Sequence, residues 1–163
     1  MPTIDSQTAG GSNRCAFLDM VAFSEIGPAL LAVSQNGYNV LVGSTASHPL
    51  LFYSYSKHPD VFNSALDSTA AGRYQLLYRY FAHYASQLSL PDFSPLSQDK
   101  IALCQIKEQG ALPFIDSGDF SSAVYRCSNI WASFPGNIYQ QHVNPVSALE
   151  VAYTDAGGKI GQA

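Results

Sequence analysis

In the run AFLDMVAFSEIGPALL (residues 16–31), Glu25 falls on the stripe that Leu18, Val21 and Ala22 mark at helical spacing. Gly27-Pro28 follows at once. A carboxyl among Val21, Ala22, Phe23 and Ile26 is partly desolvated, and burial penalises its charged form. A carboxylic acid that stays protonated near neutral pH can hand a proton to a leaving oxygen. The competing reading is structural: a helix-end glutamate facing water or paired with an arginine. From Ile26 to His58 there is no Asp or Glu, and the next acid is Asp60. Glycoside cleavage by paired carboxylates needs a second acid flanking the bond. That stretch offers Asn39, Ser44, Ser54, Ser56 and tyrosines instead. If the chemistry is sugar cleavage, a one-acid mechanism is favoured.

Other chemistries find less support. His48, His58, His83 and His142 show no metal-ligand spacing, so no zinc site and no cofactor is expected. Cys15, Cys104 and Cys127 are an odd number without metal-like spacing and read as reduced, buried thiols. A Cys/His peptidase is disfavoured because Cys104 and Cys127 fall within helical patterns. Eight basic against twelve acidic residues give a net charge of −4, and no Lys/Arg run exists to track nucleic acid.

The elements that must position Glu25 follow from pattern. With 163 residues and 47% apolar content, the chain suits one domain with its own core. Residues 1–13, polar and Gly-rich, predict a flexible N-terminal arm. The remainder, 14–163, reads as a single domain. A helix is expected from Asn13 or Arg14 to Ser24. Alternation in NGYNVLVGS and LLFYSYSKHP predicts a small β lobe of two or three strands over about 37–60. Four helices should follow. One runs from a Ser68 cap to Leu88. One has Ser94 as cap, Pro95 at its first position and Gly110 as stop. One is capped by Asp119 and ended by Pro135-Gly136. The last is closed by Gly157. The plan is α+β: a mostly helical lobe and a small β lobe, with a cleft expected between them.

Four stretches then resemble a known family, the lambda-type phage endolysins: AFLDMVAFSE (16–25), GYNVLVG (37–43), AGRYQLL (71–77) and CSNIWASFPG (127–136). The segment 92–119 also reads like the family, so the likeness covers about Ala16 to Gly158. The resemblance implies a lysozyme-like fold with its active-site cleft between the lobes. It implies cleavage of the β-1,4 bond between N-acetylmuramic acid and N-acetylglucosamine in peptidoglycan. It further implies that the reaction is transglycosylation without water, leaving a 1,6-anhydro end, with Glu25 as the catalytic acid. By analogy with a glycine-to-glutamine motif of other lytic transglycosylases, Gln75 would reach the substrate. Departures are local: SEIG stands where SEGT is usual, Phe23 where tryptophan is usual, Lys57 where aspartate is common, and Ala70 where glycine is usual. The loop STASHPLLF is longer than usual. These bear on lip shape and glycan preference.

Further candidates for sugar contact are Tyr139 in the PGNIYQQ turn, and Tyr55 and Ser54 in the β lobe. Arg73, Tyr74 and Trp131 read as structural. A hydrolytic muramidase and an inactive peptidoglycan-binding prophage protein stay open as alternatives. The N-terminus lacks a basic region followed by an apolar one, and no stretch reaches membrane-spanning length. The expectation is a monomer held in the host cytoplasm, given holin-dependent access to the wall in the periplasm.

Overall fold

A computed structural model describes residues 1–136 and 143–161. By its contacts the chain divides into two compact units, Met1–Ser24 with Ala102–Ala163, and Glu25–Ile101. The chain passes from one to the other inside two helices, α2 (Ser12–Ile26) and α5 (Pro95–Glu108).

The first unit is helical and apolar inside. Its N-terminus differs from the expected loose arm. Asp5 caps a short helix, α1 (Ser6–Ala9), by accepting from the Thr8 N–H at 2.9 Å, and Ile4 and Ala9 are buried. The apolar side chains outweigh the polar composition that suggested an arm. Helix α2 then buries Phe17, Leu18, Met20, Val21 and Ala22 completely. Phe17 meets Phe134 and Tyr153 edge-on, with ring centroids 6.3 and 6.4 Å apart, and Tyr153 meets Phe120 at 5.0 Å. Each such ring stabilises the unit by roughly 1.5–3 kcal/mol through burial.

The region expected as one helix after Asp119 is shorter and preceded by another. Helix α6 (Leu112–Ser117) ends at Gly118, and α7 covers only Phe120–Cys127, with Asp119 capping it through the Ser122 N–H at 3.2 Å. Trp131 therefore lies in the turns after α7, yet it is buried against Phe134, as its structural reading required. Helix α8 (Val146–Asp155) ends where expected, with Gly157 at φ 90°.

The second unit contains little regular structure. After α2, Gly27 at φ 77° turns the chain and Pro28 opens an unforeseen helix, α3 (Pro28–Val33). Where two or three strands were expected, the described residues form isolated antiparallel bridges: Val40 with Leu51, Leu41 with Ala71, Asn63 with Ser68 and Ala71 with Leu76. The β region thus extends past 60 to Leu76. The expected helix from Ser68 shrinks to α4 (Tyr78–Gln87). The cause is local. Gly72 and Gln75 adopt left-handed φ of 80° and 49°, which a helix cannot contain. Ser68 spends its hydroxyl on the Ala70 N–H at 3.1 Å, and Thr69 caps α4 by accepting from Tyr78 N–H at 3.1 Å. Helix α5 begins at Pro95 as predicted, with Asp92 bound to Ser94 and Ser97.

Candidate active site

Glu25 occupies the last turn of α2 and is half-buried, while Leu18, Val21 and Ala22 on the same stripe are fully buried. The residue before it is tied down. Ser24 Oγ lies 2.6 Å from Ser133 Oγ, and the Asn144 amide donates to Ser24 Oγ at 3.0 Å. The residue after it is packed. A Cβ at Gly37, itself at φ 85°, would stand 2.9 Å from Leu31 Cδ2, 3.3 Å from Ile26 Cγ1 and 3.5 Å from Arg73 Cα. Glycine at 37 therefore lets the chain beyond Glu25 close onto the backbone at Arg73.

Arg73 belongs to a tight hairpin. Ala71 and Leu76 exchange two backbone hydrogen bonds of 3.0 Å around Gly72, Arg73, Tyr74 and Gln75. Gln75 sits in this turn, not one turn into a helix as the sequence suggested. It is half-buried, and its amide nitrogen donates back to the Gly72 carbonyl at 2.9 Å. Its side-chain oxygen has no hydrogen-bond partner among the described residues. Gln98 braces the turn by accepting from Arg73 N–H at 2.9 Å and donating to the Tyr38 and Phe93 carbonyls, both at 3.0 Å.

Beneath the hairpin lies a buried polar cluster. Arg73 is 1% exposed and its guanidinium stands over the rings of Tyr38 and Tyr74, 5.3 and 5.9 Å from their centroids. Both phenols donate to Asp99 Oδ1, at 2.8 and 2.6 Å. Burial, and then the Asp99 carboxyl, push the Tyr74 phenol well above its ordinary value, so it stays a neutral donor. Arg73 and Tyr74 are structural, as read from the sequence. Their partners Asp99 and Gln98 were not foreseen, because nothing in a helical heptad marks which polar residue faces inward.

His58 is another buried polar residue of the unit. It is fully buried, 4.7 Å from the Phe93 ring centre. Its Nδ1 accepts from the Asp60 N–H at 3.1 Å, so Nε2 carries the proton and donates to the Leu76 carbonyl at 2.8 Å. Burial depresses its pKa, against smaller opposing effects of the Leu76 carbonyl and Asp60.

The other candidates stand as follows. Tyr55 is half-buried, packs edge-on to Phe52 at 5.3 Å, and donates its phenol to Gln35 Oε1 at 2.6 Å. Burial pushes that phenol's pKa up. Ser54 is exposed and hydrogen-bonded to Ser56 at 3.0 Å. Glu25, Ser54, Tyr55 and Gln75 share the unit Glu25–Ile101, whereas Tyr139 lies outside the described residues. Cys15 and Cys127 are buried and Cys104 is half-buried; burial pushes the Cys127 thiol up to about 12, where it is inert as a nucleophile near neutral pH. Among the described residues no three His, Cys, Asp or Glu side chains converge as a metal set would, and no helix is long and apolar enough to cross a membrane.

A family model described as Endolysin matches residues 15–160. The endolysin of Escherichia phage lambda is 48% identical over 153 residues, covering 91% of this chain and 94% of that protein. The endolysin of Escherichia phage P2 is 45% identical over 167 aligned positions, covering 97% and 98%. A solved structure of bacteriophage lambda lysozyme complexed with a chitohexasaccharide matches with a TM-score of 0.85 at 46% identity, covering 98% of this chain and 99% of that one. A second lambda lysozyme structure matches at 0.80. The lysozyme-like α+β fold expected from the sequence is thereby shown.

Proposed function

The chain belongs to the endolysin family, enzymes that degrade bacterial cell wall, and on that premise we propose that it is a lytic transglycosylase whose single catalytic acid is Glu25. The half-buried position of Glu25 at the exit of α2 carries this reading. The other carboxyls of its unit support it. Asp99 is committed to two buried phenols and Asp92 to Ser94 and Ser97, which leaves Asp60, in an irregular segment, and Asp67, in a turn, both exposed.

The mechanism uses one group twice. Protonated Glu25 gives its proton to the oxygen linking N-acetylmuramic acid to N-acetylglucosamine, and the C1–O bond breaks. Positive charge develops at the muramic C1. The Glu25 carboxylate then takes the proton of the C6 hydroxyl as that oxygen bonds to C1, which closes the 1,6-anhydro ring and restores the acid. The nucleophile is held within the same sugar, an advantage of proximity over a diffusing water. Gln75, through its side-chain oxygen, and Tyr55, Ser54 and Tyr139 are proposed to contact the glycan, in keeping with the sugar bound by lambda lysozyme in its solved complex. The protein is proposed to act as a monomer, held in the host cytoplasm until a holin gives it access to the wall.

Replacing the acid tests the assignment. Glu25→Gln should fold normally and lose about 10²–10⁴-fold in turnover of isolated peptidoglycan. Asp60→Asn and Asp67→Asn should keep most of it. A wild-type rate for Glu25→Gln, or a comparable collapse for either aspartate variant, would overturn the one-acid reading.

A further inference from the structure

The helix end that carries Glu25 is held by two residues far away in sequence. The last four carbonyls of a helix lack partners within it, and the final turn tends to fray. In α2 that turn contains Ser24, Glu25 and Ile26. Ser24 is fixed on two sides, by the Ser133 hydroxyl at 2.6 Å and by the Asn144 amide at 3.0 Å. The same amide nitrogen lies 3.4 Å from the Ser24 carbonyl. Asn144 is itself anchored, since its N–H donates to the Ser133 carbonyl at 2.9 Å. Ser24, Ser133 and Asn144 therefore form a closed hydrogen-bonded triangle, all within one compact unit.

Such a triangle controls direction more than stability. Successive residues of a helix point about 100° apart, so locking the azimuth of Ser24 locks the azimuth from which the Glu25 side chain departs. Gly27, at φ 77° with nothing within 4 Å of a Cβ, offers no steric restraint two residues later. A proton donor must be held within about 0.5 Å of its productive place, and a misplacement near 1 Å can cost about a hundredfold in rate. We propose that Ser133 and Asn144 are positioning residues that aim the Glu25 carboxyl by clamping Ser24. This deepens the transglycosylase reading and rests on Glu25 being the acid.

The experiment measures kcat and KM of the full chain on soluble glycan strands for Ser133→Ala, Asn144→Ala, Ser24→Ala and the double variant Ser24→Ala/Asn144→Ala, beside Glu25→Gln. Each clamp variant should lose about tenfold or more in kcat, with KM within about twofold of wild type and the same anhydro products. The double variant should be little worse than either single one, because both remove one device. The pH profile of kcat should shift in the clamp variants, which a purely structural weakening would not produce. Thermal melts establish that each variant is folded at the assay temperature, and Ser133→Ala serves if Asn144→Ala is not. Folded clamp variants with kcat within about twofold of wild type, or fully additive losses, overturn the proposal while Glu25→Gln stays dead. A Glu25→Gln enzyme that remains active overturns instead the reading beneath it.

Discussion

In the unit Met1–Ser24 with Ala102–Ala163, the interior includes Phe17, Leu18, Ile106, Ile115, Leu149 and Tyr153 on helices, and Phe134 in the bend after α7. The unit Glu25–Ile101 buries Asn39, His58, Arg73, Ser97, Gln98 and Asp99, and its chain runs largely in bridged turns. The first is held chiefly by apolar area, a force without direction. The second adds to an apolar core of Val40, Phe52, Leu76 and Phe93 a set of directed polar contacts, which cost free energy when left unmet. The proposed sugar-contacting residues Ser54, Tyr55 and Gln75 belong to the second. A site that must hold hydroxyls and amides in fixed directions is well served by turns whose own polar groups are pinned from beneath.

The sharpest way to break this contrast is at Asp99. Asp99→Ala leaves two buried phenols without their acceptor, and should cost about 2–5 kcal/mol in urea unfolding. A loss below about 1 kcal/mol would mean that the polar cluster does not hold the unit.

Next in size is His58, the one buried imidazole among the described residues. Its pKa is depressed in the folded chain, chiefly by burial. As pH falls through about 6.5, the unfolded chain takes up a proton that folded His58 resists, so stability should fall with falling pH. The slope for this one group is at most about 1.4 kcal/mol per pH unit. Protonation also sets an N–H of the ring against the Asp60 N–H. Unfolding measured between about pH 5 and 6.5 should show this slope in the wild type and lose most of it in His58→Gln.

The smallest effect belongs to the helical unit. Arg14 and Asp116 form a bidentate pair of 2.8 and 2.6 Å at a partly exposed place. Asp116→Asn should cost no more than about 1 kcal/mol, and less at high salt. A larger, salt-insensitive loss would show that ion pairing matters as much there as in the other unit.

The same contrast explains what the sequence disclosed. Helical caps and stops are local, so Ser94-Pro95, Asp119, Gly110 and Gly157 were legible as boundaries. The stripe of Leu18, Val21 and Ala22 placed Glu25 at the edge of a buried face. The turns at 69–76 read as helix from the sequence because a Ser68 cap followed by Ala70 and Ala71 suits one. What overrides them is distant: Gln98 on the Arg73 N–H, His58 on the Leu76 carbonyl, and Leu41 bridging Ala71. No window along the chain contains those partners. The Ser24 triangle was invisible for the same reason, with partners at 133 and 144. Glu25 stood out because a charged residue on an apolar stripe is a local anomaly, whereas Gln75 was singled out through its motif and misplaced in its element.

Digesting isolated peptidoglycan in ¹⁸O-labelled water and weighing the released fragments tests the central claim most directly. A lone Glu25 that closes the muramic ring predicts 1,6-anhydro ends carrying no ¹⁸O at C1. Reducing ends labelled with ¹⁸O at C1 would mean that water is the nucleophile, and would contradict the account.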